Sequence, residues 1–308
     1  MLDIHRMAVF LAAAETGSFS KAGHRLQMSQ PAVSMQIRSL EKQLGVDLFH
    51  RAGRYICLTE VGQALIPMAR DLVNLSTNIH ETVASLENQV IGRLKLGCST
   101  TAGKYVLPQM IARFLDAHPA VQITCHVGTR GSALKMLLDA QAHLAITSLH
   151  EASRELEYRS LITDPVVLIA PHDHTWTRRE SIRVDELPEG RYILQEIDSG
   201  TQQTVIQALT EHNLSMSDLS TVMILGNSEA IHMAVAENIG VAFISRRAAA
   251  EGIDAGRVVE VPVEGLQMTQ QLYMVRRAHH AATGVQAAFW EYVYSPKNRS
   301  LLENGPTG

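Results

Sequence analysis

Gln30, Pro31, Ser34, Met35 and Arg38 fall at a spacing that puts them on one side of a helix. Carboxamide, hydroxyl and guanidinium groups are the ones that meet base edges in the major groove of DNA, and a methionine there offers apolar contact such as a thymine methyl accepts. Ser29 stands where it caps that helix, and Pro31 lies in the first turn, where a missing N–H costs nothing. Val33, Ile37, Leu40 and Leu44 recur on the opposite face, so that face is buried and the polar one is presented. Any capped amphipathic helix looks like this on its own, and the preceding residues add the discriminating feature. A helix over residues 18–26 packs through Ala22 and Leu26, and only QMS separates it from the next, the length a helix-turn-helix turn requires. Beyond it, residues 48–49 and 55–58 read as two short strands around a turn containing Gly53. Arg51 and Arg54 sit at that tip, either as solvated turn residues or as phosphate contacts beside the groove.

A second group of polar residues suits a small molecule. Ser99-Thr100-Thr101, Ser199-Gly200-Thr201 and Asn227-Ser228 each fall between a strand and a helix, and Thr129 and Thr147 end two further strands. At such junctions helix N-termini present unpaired N–H groups, and open parallel sheets take their ligands there. Each of these residues also serves as an ordinary cap or turn former; their recurrence in two halves of the chain favours a cleft site. Lys104 and Arg130 can add positive charge. Other chemistry finds little support. His172-Asp173-His174 follows Pro171 in a turn and lacks an evident third metal ligand. There is no Gly-x-Ser-x-Gly elbow, phosphate-binding loop or dinucleotide glycine motif, so neither a catalytic residue nor a cofactor or metal is expected. Cys57, Cys98 and Cys125 are scattered and are expected to be buried free thiols.

These residues need elements to hold them. A first helix over residues 4–15 carries Met7, Phe10, Leu11 and Ala14 on one stripe and stops at Gly17, completing a three-helix core. Thr59 can cap a long helix in which Val61, Leu65, Met68, Leu72, Leu75, Ile79, Val83 and Leu86 alternate spacings of three and four, a heptad seam suited to dimerisation, with Pro67 bending it locally. From Gly92 onward short strands alternate with helices: strands over 94–98, 121–127 and 144–148 with helices over 103–117 and 132–140, then strands over 166–170, 192–194, 222–225 and 241–245 with helices after Thr201 and Ser228. That is a βαβ pattern repeated, giving two α/β lobes. The last residues, 295–308, read as a frayed tail.

The 308 residues suit two or three domains and are 46% hydrophobic and 19% charged, an ordinary globular composition. The net charge of −4 divides unevenly: residues 1–58 hold seven Lys or Arg against four Asp or Glu, a net +3, leaving −7 for the rest. A basic head on an acidic body fits DNA reading by the head alone. No apolar run approaches the length of a membrane span, and the N-terminus starts directly with an amphipathic helix, so a cytoplasmic location without membrane contact is expected.

The run LEKQLGVDLFHR followed by RYICLTEVGQAL resembles the N-terminal signature of the LysR-type transcriptional regulators, and the resemblance extends over nearly the whole chain. It implies an α/β protein with an all-α-dominated winged helix-turn-helix head over 1–58, a linker dimerisation helix over 59–90, and a two-lobed, periplasmic-binding-protein-like effector domain over 91–300. In that arrangement lobe I takes 91–161 and 266–300, lobe II takes 162–265, and the strand at 270–275 and helix at 283–294 complete lobe I. The implied function is binding of double-stranded DNA at a promoter inverted repeat, modulated by a small-molecule effector, anionic or polar, in the cleft between the lobes. The implied assembly is a homodimer or homotetramer, with RNA polymerase as a further partner. CSTTAGKYVLP with DSGT weakly resembles regulators of carbon-fixation and sulfur-assimilation genes, whose effectors are often anionic; here Gln202 stands where an Arg often follows, which argues against a strongly anionic ligand. A cytoplasmic solute-binding protein and a DNA-acting enzyme are the rival readings, opposed respectively by the DNA-reading head and by the lack of clustered catalytic carboxylates.

Overall fold

The computed structural model describes residues 2–52, 55–85, 90–280 and 282–298. The chain opens with α1 (Ile4–Thr16), which Asp3 caps through the His5 N–H and Gly17 ends at φ 61°. It continues through α2 (Phe19–Leu26), α3 (Gln30–Leu44) and an antiparallel hairpin of β1 (Phe49–Ala52) and β2 (Tyr55–Leu58), with Phe49 opposite Leu58. Met7, Phe10, Val33, Ile37, Leu40 and Leu48 fill the core between the three helices and the hairpin. Phe49 wedges in between Phe10 and Phe19, 5.6 Å from each ring. Leu48 belongs to this core and not to the first strand, which begins one residue later.

Thr59 caps α4 (Glu60–Ser85), accepting from the Gly62 N–H at 3.0 Å while its hydroxyl donates to the Asp47 carbonyl at 2.8 Å. Pro67 lies within the helix. The apolar stripe expected as one seam divides in two. Leu65 and Leu72 pack with Ile66 and Val73 on the head's own core, whereas Val61, Met68, Leu75, Ile79 and Val83 stay exposed. Leu86 lies outside the described residues, as do Gly53, Arg54 and the tail from 299 onward. The reason for the split is geometric: a helix bound along one flank of its own head can offer only the remaining row to anything else.

The body is built on one seven-stranded sheet among the described residues. Its strands are β3 (Gly92–Ser99), β4 (Val121–Gly128), β5 (Leu144–Thr147), β6 (Leu156–Pro171), β10 (Ala242–Ser245), β11 (Val258–Val261) and β13 (Met268–Arg277). β7 (Ile182–Arg183) pairs with β12 (Val263–Glu264), and β8 (Arg191–Gln195) with β9 (Ser220–Leu225). The helices are α5 (Leu107–Ala117), α6 (Arg130–Leu138), α7 (Gly200–Glu211), α8 (Ser228–Ala236), α9 (Arg246–Asp254) and α10 (Gly284–Val293), with a π-helical turn at Ala102–Val106 leading into α5. β4, β3 and β5 run parallel, as their βαβ spacing requires.

The crossing between lobes is made by β6 and β13, antiparallel neighbours registered from Leu156↔Arg277 to Met268↔Val166, with a bulge between Leu272 and Tyr273. Leu161, Ile162, Leu272 and Met274 on these strands join the first lobe's core with Phe114, Phe289 and Trp290, whereas Val166, Leu168 and Met268 join the second lobe's core with Trp176, Tyr192 and Phe243. β6 is far longer than the run at 166–170 read from periodicity, because its first half, LEYRSLITDP, is buried irregularly and shows no clean alternation. Of the cysteines only Cys98 is buried; Cys57 and Cys125 are exposed, Cys125 because β4 is an edge strand with one uncovered flank. Among the described residues no helix is long and apolar enough to cross a membrane.

Candidate DNA-reading face and effector cleft

α3 is held so that its polar side faces outward. Ser29 Oγ accepts from the Ala32 N–H at 3.3 Å, fixing the start of the helix with Pro31 in its first turn. Val33, Ile37 and Leu40 are buried, while Ser29, Gln30, Pro31, Met35 and Arg38 are exposed and Ser34 half-buried. The turn before it depends on Gly23. A Cβ there would lie 2.6 Å from the Met28 carbonyl oxygen, which itself follows the tight closure of α2 by Gln27 at φ 56°. Glu41, unremarked in the sequence, secures the hairpin: its Oε1 accepts from the N–H groups of Leu48 at 2.9 Å and Phe49 at 3.3 Å. Arg51 lies on β1, and Arg54 falls outside the described residues.

Between the lobes lies a small, open-mouthed cavity. Ser99, Thr100, Thr101, Thr129 and Ser199 line it, together with Arg130. Thr129 caps α6 through the Ser132 N–H at 3.1 Å, and Ser199 caps α7 through the Gln202 N–H at 3.4 Å. Thr147, Thr201 and Asn227 do not line it. Thr147 is buried behind the wall, donating to the Arg130 carbonyl at 3.2 Å; Thr201 is buried beneath Gln270; Asn227 caps α8 through the Ala230 N–H at 2.8 Å.

Sequence reading missed the other half of the lining: Ser148, Gln195, Glu196, Asp198 and Gln270. Gln270 on β13 donates to Asp164 on β6 at 2.7 Å, 106 residues away in the chain, so only the crossover reveals the pair. Burial pushes the Asp164 carboxyl above its ordinary pKa, against the pull of hydrogen bonds from Ser245 and Gln270 and of the Arg247 charge. Gln202 is turned away from the cavity, its Oε1 accepting from the Gln195 N–H at 3.2 Å. Lys104 adds no free charge: its Nζ meets Glu229 of lobe II at 2.6 Å, and the Tyr105 hydroxyl donates to the same carboxylate at 2.8 Å, tying the lobes together. Burial raises the Glu229 pKa, but these two hydrogen bonds, with one from its own backbone N–H and the Lys104 charge, leave the carboxyl below its ordinary value. His174 caps the Thr175–Arg178 turn, and among the described residues no group of three His, Cys, Asp or Glu could hold a metal.

The head and the body meet along α4. Arg70 donates to Glu15 of α1 at 3.2 Å and to the Asp139 carbonyl at 3.0 Å, Asn74 donates to the Ala140 carbonyl at 3.3 Å, and Asp71 pairs with Arg277 at 2.9 Å. Asp139 and Ala140 end α6, whose first residues line the cavity.

Residues 4–63 match the model of the bacterial regulatory helix-turn-helix proteins of the lysR family, and residues 87–295 match the LysR substrate binding domain. The chain belongs to the LysR family of transcriptional regulators. CmpR, an HTH-type transcriptional activator of Synechocystis, is 30% identical over 95% of both chains. The RuBisCO operon transcriptional regulator of Allochromatium vinosum is 28% identical over 97% of each. Among solved structures, full-length OxyR from Pseudomonas aeruginosa shares the regulator's fold with a TM-score of 0.72 at 20% identity, covering 95% of this chain and 96% of that one. CbnR complexed with its target DNA does so with a TM-score of 0.68 at 19% identity, over 95% and 99%. The regulatory domain of Synechocystis CcmR in complex with 2-PG matches 66% of the regulator and 95% of its own chain, at 22% identity and a TM-score of 0.60. The family is one of regulators and not of enzymes, and the regulator carries both its parts: a helix-turn-helix head and a two-lobed α/β effector domain.

Proposed function

We propose that the regulator, acting in the cytoplasm, binds a promoter inverted repeat through two heads and changes that binding when a small polar metabolite enters the cleft between its lobes. Gln30, Pro31, Ser34, Met35 and Arg38 read base edges, with Ser29 at the helix start, while Arg51 and Arg54 of the wing contact phosphates beside the groove. Pairing of the heads runs along the exposed row of α4, where Met68, Leu75 and Ile79 offer apolar surface to the same helix of a second copy. Further contacts between bodies would make a tetramer, and RNA polymerase is the partner that reads the outcome.

One observation carries the link between cleft and head. α6 starts at the cavity, with Thr129 and Arg130 in its lining, and ends where Asp139 and Ala140 accept hydrogen bonds from Arg70 and Asn74 of α4. A rigid helix roughly 13 Å long therefore has the ligand at one end and the linker at the other. A ligand that binds the closed lobes better than the open ones biases the position of α6, and through Arg70 that of the head. The test is a footprint on DNA containing the chain's own promoter. Two protected half-sites about one helical turn apart are expected, with Arg38→Ala needing roughly tenfold or more regulator for the same protection. Protection of a single half-site, or none, would overturn the reading.

A further inference from the structure

The cavity's two walls differ in what they offer. Lobe I presents hydroxyls and a cation: Ser99, Thr101 and Arg130. Ser99 is 8% exposed, and its Oγ has no hydrogen-bond partner among the described residues. Lobe II presents the Ser199 hydroxyl at the start of α7, but the charged groups on its side are all acceptors. Gln195 is 7% exposed, and its Oε1 is likewise unpartnered among the described residues. Gln270 spends its Nε2 on Asp164 and Thr201, which leaves its Oε1 facing the lining; a Cβ at Gly200 would come within 3.0 Å of that oxygen, so the closeness of this wall depends on glycine. Glu196 and Asp198 add two carboxylates, both on exposed residues of the loop between β8 and α7. Lys104, which the sequence offered as added positive charge, is held by Glu229.

A dianion fits this lining poorly, since one end would face Arg130 and the other the Glu196 and Asp198 carboxylates, which repel it. A molecule that accepts at one end and donates at the other satisfies both walls, and buried polar groups of this kind lower affinity steeply for analogues that leave them unpaired. We propose that the cleft takes a small zwitterion of the amino-acid class, its carboxylate against Ser99, Thr101 and Arg130 and its ammonium held by Glu196, Asp198 and the Gln195 and Gln270 oxygens. This rests on the cleft being the effector site, and it names the ligand's chemistry.

Titration calorimetry on the full-length chain tests it, with the common amino acids, their hydroxy-acid analogues, malate and inorganic phosphate as probes. At least one amino acid binds, its hydroxy-acid analogue binds roughly tenfold or more weakly, and Glu196→Gln with Asp198→Asn weakens the amino acid by roughly tenfold or more. Both substituted residues are exposed, and thermal melting checks that the variant folds. Binding of no amino acid overturns the assignment, as does an amino acid indifferent to the double variant or a dianion that the double variant tightens. Ser99→Ala separates that failure from failure of the site itself. If a bound dianion is lost with Ser99→Ala, the cleft stands and the ligand class falls; if a bound probe ignores both sets of substitutions, the cleft is not where it sits.

Discussion

Arg70 donates to the carbonyl oxygen of Asp139 at 3.0 Å, so a side chain of the linker helix closes the C-terminal end of α6. The same guanidinium reaches Glu15 of the head at 3.2 Å, and Arg70 is only 9% exposed. Arg70→Gln breaks both links, yet Glu15 keeps Arg25 at 2.6 Å and the head retains its core. The expected cost is about 1 to 3 kcal/mol of stability. Hydrogen exchange should quicken at residues 139–141 while affinity for the promoter stays within a few-fold; unchanged exchange there would show that the link transmits nothing.

Arg38→Ala should weaken promoter binding by about 1 to 3 kcal/mol and relax preference at one base position, because a guanidinium on the exposed face of α3 suits bidentate contact to a guanine edge. Lys42→Ala, one turn further along, should weaken all sequences alike and reduce the salt dependence. Gel shifts at two salt concentrations distinguish the two outcomes.

Assembly should depend on the exposed row of α4 and not on the whole stripe. Leu75→Glu with Ile79→Glu places charges on residues that are 48% and 58% exposed in the single chain, so the protomer folds and the dimer dissociates. Leu72→Glu instead strikes the head's own packing and should lower the melting temperature. Sedimentation and thermal melting, run on both variants, report the two effects separately.

His143 gives a pH dependence. Burial, with the nearby Lys95 and Arg277 charges, pushes its pKa down to about 4, and its Nδ1 accepts from the Lys95 N–H at 3.3 Å. The unfolded chain therefore takes up this proton more readily than the folded one, so stability is full above the ordinary histidine value and falls as pH drops from there towards 4. His143→Gln should flatten that part of a melting-temperature curve measured against pH.

How much of this was legible differs by residue. The recognition helix could be read because Ser29, Pro31 and the Val33-Ile37-Leu40 row are local signals within a single helix. The lobe I wall could be read for the same reason, since Ser99 to Thr101 and Thr129 sit at junctions between adjacent elements. Gln270 and Asp164 could not, because they meet only through the pairing of two strands separated by the whole of lobe II. Glu196 and Asp198 look in sequence like any solvated loop carboxylates, and nothing local says that their loop closes a cavity. The α4 stripe misled because apolar spacing reports that a residue is covered and not by what: Leu65 and Leu72 are covered by their own head.

The crossing of β6 and β13 also bears on how the body comes apart. Both strands contribute side chains to both lobes' cores, and each is the other's hydrogen-bonded neighbour from Leu156 to Val166. Neither lobe can melt without stripping the other of part of its sheet, so the two should lose protection together as one cooperative block. A protease that cuts between β8 and α7 would leave the fragments bound to each other by that ladder, one holding β6 and the other β13, and the nicked body would still sediment as one particle.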